Sequence, residues 1–186
     1  EITTRLVGSE MCIRDRAEKA WKSETQVDNI LLTAPTGSGK SLLFQLPAIY
    51  LGKGYNLLTI VVSPLKALIV DQVESLQELG YTRVAYASSD LSPEQKMEVY
   101  RQVREGEIDL FYLSPELLLS YDIKHFVGER RIGLVVVDEA HTVTTWGKEF
   151  RVDYWFLGRY LTALKQTLGY NFPLFALTAT AVWNPK

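Results

Sequence analysis

Cysteine is nearly absent from this chain and histidine is scarce: one Cys and two His occur in 186 residues. The single thiol, Cys12, excludes a disulfide within the chain and a cysteine-built zinc site. Neither sign of charge is in excess. Basic residues number 20 and acidic residues 22, a net charge of −2. There is thus no global basic signature for nucleic acid, and any such contact must come from a local patch. No apolar run approaches the ~20 residues that a membrane helix needs. No convincing secretory signal is seen, and a cytoplasmic setting is expected. Repeats, low-complexity tracts and an interdomain linker are lacking too. What remains is ordinary for one globular domain with a full core, at 47% hydrophobic and 23% charged residues.

Apolar, β-branched runs alternate with helical patterns along the chain. Ala17–Ser23 reads as the end of a helix. Strands are expected at Asn29–Thr33, Leu57–Val62, Arg83–Tyr86, Leu110–Leu113, Leu134–Val137 and Leu174–Leu177. Helices are expected at Ser41–Leu51, with a kink at Pro47, and at Leu65–Leu79, where Leu68, Ile69, Val73, Leu76 and Leu79 recur at helical spacing. Ser92 caps a third helix, with Pro93 at its first position, running to about Glu105. A fourth spans Asp153–Leu168. Such alternation implies an α/β fold with a parallel sheet covered by helices on both faces. Leu134–Val137 is almost wholly apolar, as a central parallel strand should be.

Ala34-Pro35-Thr36-Gly37-Ser38-Gly39-Lys40-Ser41 lies between an apolar strand and an amphipathic helix. A phosphate-binding loop needs inward-facing backbone N–H groups, and hence glycine where a Cβ would clash. Gly37 and Gly39 serve that need, and the helix beginning near Lys40 adds its positive end. Lys40 can reach the β- and γ-phosphates of a nucleotide, and the Ser41 hydroxyl can coordinate magnesium. The general pattern begins with glycine, where this chain has Ala34.

Asp138-Glu139-Ala140-His141 ends the most apolar strand. The carboxyl ends of parallel strands are where open α/β sheets bind ligands. Asp138 is expected to hold the magnesium. Glu139 is expected to orient and deprotonate the attacking water, and His141 to sense the γ-phosphate. Alone, an Asp-Glu pair after a strand is an ordinary helix start; beside a phosphate loop it describes ATP hydrolysis. His125 is expected to be an ordinary surface or partly packed histidine. After the carboxylates come Trp146, Phe150 and Tyr154, interleaved with Lys148 and Arg151. That composition suits a stacking platform for bases with cations for phosphates. It equally suits core aromatics with Arg151 paired to Glu149 or Asp153.

The strings APTGSGKS, SPLKAL, LSPE, DEAH and LTATA resemble, in order, the first-lobe motifs of superfamily 2 helicases. Trp146-Gly147-x-x-Phe150-Arg151-x-x-Tyr154 and SPLKALIVDQV resemble the RecQ family of DNA helicases more closely. The resemblance covers Ala17 to about Ala181. It implies a RecA-like P-loop NTPase domain, truncated at both ends, that uses ATP and Mg2+ within a 3′ to 5′ DNA helicase. Cofactor contacts would come from Pro35, Thr36, Gly37, Ser38, Gly39, Lys40 and Ser41. DNA contacts would come from Ser63, Pro64, Lys66, Ser114, Pro115, Trp146, Phe150 and Arg151, and coupling from Thr178 and Thr180. As isolated strings, Ser63-Pro64 and Ser114-Pro115 are ordinary helix starts. The implied partners are single-stranded DNA, duplex junctions and a second RecA-like lobe. The other readings are an RNA helicase or other superfamily 2 translocase, and a non-catalytic nucleotide- or DNA-binding module.

The resemblance has gaps. The family's adenine-contacting glutamine would fall upstream of the loop, and Gln26 is too near to replace it. The second lobe, its arginines and the accessory domains are not in this chain. Glu1–Arg16 lacks periodicity and resembles a translated sequencing-library adapter, with Leu6–Asp15 as its constant part. It is expected to be a disordered tail without tertiary contacts, preceding a domain at 17–186. The other reading is a natural, unremarkable N-terminal tail.

Overall fold

The computed structural model describes residues 2–23, 28–33, 39–139 and 148–178, with side chains for all of these except 2–11, 23 and 148–155. Six strands form one sheet: β1 (Ile30–Thr33), β2 (Leu58–Val62), β3 (Val84–Ala87), β4 (Leu110–Leu113), β5 (Ile132–Val137) and β6 (Leu174–Thr178). Their spatial order is β1-β6-β5-β2-β4-β3, and all five neighbouring pairs are parallel. Each therefore needs a crossover. The connecting helices are α1 (Ile2–Ser23, before β1), α2 (Leu42–Tyr55), α3 (Lys66–Glu78), α4 (Pro93–Arg104), α5 (Pro115–Ser120), α6 (Ile123–Val127) and α7 (Lys148–Leu168).

The central strands are almost wholly apolar, with Thr59 the polar residue of β2, because both faces are covered. All residues of β2 and β4 are buried. Successive residues feed opposite cores, as the two-residue period of a strand requires. Ile60, Val62, Phe111 and Val135 join one cluster with Tyr100 of α4, Phe126 of α6 and Leu161 of α7. Val61, Leu110, Tyr112, Leu134 and Val136 join the other with Leu43 and Phe44 of α2 and Ile69 and Val73 of α3. Full burial of such side chains is worth roughly 1.5–3 kcal/mol each.

Local signals set most helix boundaries. Ser92 accepts from the Gln95 N–H, and the Gln95 side chain accepts from the Ser92 N–H, a reciprocal capping box with Pro93 in the first turn. Ser114 accepts from the Leu117 N–H to cap α5. Helix α2 runs unbroken through Pro47 to Tyr55, past the expected end at Leu51. Helix α6, capped by Asp122, is too short to show a helical period in sequence. It carries His125, partly buried and stacked on Tyr121 with centroids 4.7 Å apart, as expected of a packed histidine.

At the amino end of the sheet, Asp109 is fully buried. It accepts hydrogen bonds from Arg83 Nε at 2.7 Å, Arg83 Nη2 at 2.9 Å, Arg130 Nη2 at 3.0 Å and the Tyr81 hydroxyl at 3.1 Å. A buried charge is tolerable only when paired this fully. A Cβ on Gly52 would lie 2.2 Å from Asp109 Cγ, so only glycine lets α2 pass this carboxylate.

Helix α1 spans most of the segment expected to be a contact-free tail. The helix is continuous from Ile2 to Ser23, and Ile13 is fully buried with Ala17 and Ala20. These residues stand at i, i+4 and i+7, one helical face, and the alanines let α1 pack closely on α2. The stripe straddles the supposed Arg16/Ala17 boundary, so neither half shows it alone. Arg14 adds a contact over the Tyr50 ring at 5.4 Å. We expect Ile13→Ala to cost about 2–4 kcal/mol and Lys19→Ala, on the exposed side, under about 0.5 kcal/mol. Chemical denaturation of both variants tests this; equally small losses would mean that α1 does not belong to the core.

Candidate functional site

Parallel pairing brings the carboxyl ends of all six strands to one edge. In spatial order that edge carries the chain leaving Thr33 toward Lys40, then Thr178, Asp138, Ser63, Ser114 and Ser88. Neighbouring strands lie about 4.8 Å apart. Residues distant in sequence thus form one row.

Gly39 has φ +75°, a left-handed conformation that glycine adopts without a Cβ penalty. The chain then turns into α2: the Leu42 N–H donates to Gly39 O, and the Leu43 N–H to Lys40 O, both at 3.1 Å. Lys40 is partly buried, and its Nζ atom is sequestered with no hydrogen-bond partner among the described residues. Buried ammonium groups are rarely left so. Ser41 stands beside it at the helix entrance.

Asp138 follows the last residue of β5. Its N–H donates to Val62 O at 2.9 Å, one more rung of the β2–β5 ladder, so the carboxylate is held next to Ser63. Asp138 is 6% exposed. Oδ1 accepts from the Glu139 N–H at 2.9 Å and Oδ2 from Gln72 Nε2 at 3.4 Å. Burial pushes its pKa above the ordinary carboxylate value; the Glu139 N–H bond opposes this, nearby Glu139 charge adds to it, and Gln72 and the Lys40 ammonium oppose it. Glu139 has φ +50°. A non-glycine residue held there stores about 1–3 kcal/mol of strain, a pattern that clusters at functional sites.

Of the expected nucleic-acid contacts, Ser63 is buried, with a hydroxyl lacking a partner among the described residues. Lys66 is exposed at the start of α3 and ion-paired to Asp90. Pro64 is partly buried beside it. Ser114 spends its hydroxyl on capping α5, and Pro115 is buried. Both stand at the helix start, and the Ser114 hydroxyl, which only accepts there, keeps its own O–H as a donor. Thr178 ends β6, buried and paired in register with Thr33. Phe150 and Arg151 lie in the first turns of α7. Pro35, Thr36, Gly37, Ser38, His141, Trp146 and Thr180 lie outside the described residues.

Three residues escaped the sequence reading. Gln45 Nε2 donates to the Tyr112 hydroxyl at 3.3 Å, and that hydroxyl donates to Gln72 Oε1 at 3.0 Å. With the Gln72–Asp138 bond they form a polar chain beneath the row. The available signal was Gln45 itself, a polar residue between buried Phe44 and Pro47 in an apolar helix.

The fold and this edge define a RecA-like helicase domain, a parallel α/β layer with a lysine-bearing turn and a buried carboxylate on neighbouring elements. A DEAD/DEAH box helicase family model matches residues 14–186, and the chain belongs to that family. It is 43% identical over 156 residues to the ATP-dependent DNA helicase RecQ of Synechocystis, covering 81% of this chain and 31% of that protein. It is 37% identical over 153 residues to RecQ of Bacillus subtilis, covering 82% and 24%. With the yeast ATP-dependent helicase SGS1 it shares 35% identity over 168 residues, 88% of this chain and 11% of that one. The chain thus spans about a third or less of these relatives. Its fold is similar to the Pyrococcus furiosus Hef helicase domain, with TM-score 0.63 and 22% identity over 95% of this chain and 33% of that one. It is also similar to the helicase MrfA solved with DNA, with TM-score 0.68 and 23% identity over 92% and 23%. Among the described residues, no helix is long and apolar enough to cross a membrane.

The Asp138 shift has a thermodynamic consequence. Its folded-state pKa is raised, so ionisation costs more in the folded than in the unfolded chain. Stability is therefore greatest below the unfolded pKa of about 3.9 and falls as pH rises through and above it toward the folded pKa. We expect Asp138→Asn to raise the melting temperature at neutral pH, by roughly 2–4 °C for each kcal/mol relieved, and to lose this advantage near pH 4. The amide can be satisfied because Gln72, Tyr112 and Gln45 can all reverse their donor direction. Melting curves at both pH values check this; a destabilised variant at neutral pH would contradict it.

Proposed function

We propose that this chain is the ATP-binding motor lobe of a RecQ-type DNA helicase that couples ATP hydrolysis to 3′ to 5′ translocation and unwinding. One observation carries the reading: Lys40 Nζ, without a hydrogen-bond partner among the described residues, stands at the sheet edge close enough to the buried Asp138 to favour its charged form. A lysine with no bond among the described residues and a carboxylate with spare lone pairs fit the phosphates and the magnesium of one nucleotide. The relatives' names, ATP-dependent DNA helicases, support the same assignment.

In this reading Lys40 binds the β- and γ-phosphates with Pro35, Thr36, Gly37, Ser38 and Gly39 around them. Ser41 and Asp138 hold Mg2+, which when bound offsets phosphate charge. Glu139, in its left-handed turn, takes the proton of the attacking water. His141 reports the γ-phosphate state. Ser63, Pro64, Lys66, Ser114 and Pro115 contact the DNA backbone, Trp146 and Phe150 stack on bases, and Arg151 pairs with phosphate. Thr178 and Thr180 link nucleotide state to movement. The partner is DNA, together with a second RecA-like lobe that supplies the remaining cations.

Alone, the chain should bind Mg-ATP weakly and hydrolyse it poorly, since a missing arginine finger can cost about 10³–10⁵ in rate. Lys40→Ala should weaken binding of a fluorescent ATP analogue at least about 10-fold, the loss of a charge-assisted phosphate contact. Glu139→Gln should leave binding intact. In a two-lobe protein the same Glu139→Gln change should lower turnover about 10²–10⁴-fold. Near-normal turnover would remove Glu139 from its role as base.

The nucleic-acid assignment has its own test in the two-lobe protein. A stacked base is worth about 1–3 kcal/mol, enough to bias a loop between two states. Trp146→Ala and Arg151→Ala should keep basal hydrolysis and lose stimulation by single-stranded DNA. Stimulation by RNA in place of DNA would favour an RNA helicase instead. If basal turnover, stimulation and melting temperature fall together, the aromatics are core.

A further inference from the structure

The polar chain under the carboxylate row is largely buried: Gln45 is 7% exposed, Tyr112 fully buried and Asp138 6% exposed, with Gln72 partly buried between them. It joins α2, β4, α3 and β5. Its direction is dictated by its terminus. An ionised carboxylate only accepts, so Gln72 must turn its NH2 group to Asp138 Oδ2. Gln72 Oε1 is then left to accept from the Tyr112 hydroxyl, whose oxygen accepts in turn from Gln45 Nε2. Each donor points toward the charge, and each bond polarises the next.

We propose that Gln72, Tyr112 and Gln45 form a relay that positions the Asp138 carboxylate for magnesium, so that α2 and α3 jointly set the geometry of the metal site. This rests on the nucleotide-site reading above. Oδ1 is already held by the Glu139 N–H; without Gln72 the carboxylate keeps a single anchor and can rotate about it. Groups that orient metal ligands from behind typically contribute about 10- to 100-fold in metal affinity. The relay also gives α3 a second task. Lys66 opens that helix, and Gln72 lies six residues on, about 9 Å along the axis. A displacement of α3 at its exposed start is therefore carried to Asp138 through one hydrogen bond. Gln72 and Tyr112 are positioning residues, since neither reaches the nucleotide row itself.

The test uses the 186-residue chain, a fluorescent ATP analogue and two titrations, one with Mg2+ and one in EDTA. Gln72→Leu should raise the Mg2+ concentration needed for half-maximal tight binding about 10-fold. Tyr112→Phe, which removes one oxygen from a ring that stays packed, should raise it by a smaller factor. Both should leave EDTA binding at the wild-type value, with a melting temperature lowered by no more than the loss of one buried hydrogen bond. The double variant should be no worse than Gln72→Leu, because Tyr112 acts only through Gln72. Should Gln72→Leu fail to fold, Tyr112→Phe decides alone. An unchanged Mg2+ midpoint in a stable Tyr112→Phe overturns the relay, as do equal losses with and without Mg2+, which would mark a merely structural network. Wild-type chain that binds no analogue in either titration overturns the nucleotide-site reading as well, so the two failures are distinguishable.

Discussion

The pairing of β5 with β2 governs the rest of the structure. Five residues of β2 align with β5, with one register shift at Leu58/Thr59, and the ladder closes with the Asp138 N–H on Val62 O. Slipping this register by one residue would turn Val135 and Val136 to the wrong cores and move Asp138 off the edge. Apolar packing on both faces forbids that slip. The placement of the carboxylate is thus enforced by side chains that take no part in chemistry.

Two buried aspartates at opposite ends of the sheet show how placement and chemistry differ. Asp109, just before β4, receives bonds from two arginines and a tyrosine. Asp138, just after β5, receives one bond from the adjacent backbone N–H and one long bond from a glutamine. The first is a saturated anchor: its charge is matched, and Gly52 leaves it room. The second keeps acceptor capacity directed at the edge, with a lysine nearby that lacks a partner of its own among the described residues. A fold of marginal stability tolerates such under-satisfaction where binding repays it. The strained Glu139 beside it is of the same kind.

The first helix shows how a segment can acquire contacts regardless of origin. Ile13, Ala17 and Ala20 supply one apolar face, and α2 offers a surface to receive it. Packing responds to that face, whatever the segment resembles.

Much of the candidate site was legible in the sequence because its signals are local. The glycine-lysine-serine turn, the apolar run ending in Asp138-Glu139 and the Ser92-Pro93 helix start each need only a few adjacent residues. The alternation of strand and helix then implied a parallel sheet with its ligand edge at the carboxyl ends. Strand order could not be read this way, because many orders satisfy the same alternation. Nor could the fate of Ser63, which shares the Ser-Pro setting of the capping Ser114 yet ends as a buried hydroxyl. The relay is the clearest case. Its bonds join residues 67, 40 and 66 positions apart, and no local pattern encodes a contact between two glutamines and a tyrosine on separate elements. Sequence determined which chemistry was available and at which strand ends. Tertiary structure decided which of those groups are buried, partnered or left waiting, because desolvation and hydrogen-bond geometry exist only once β4 and β5 flank β2 and α2 and α3 close over the same face.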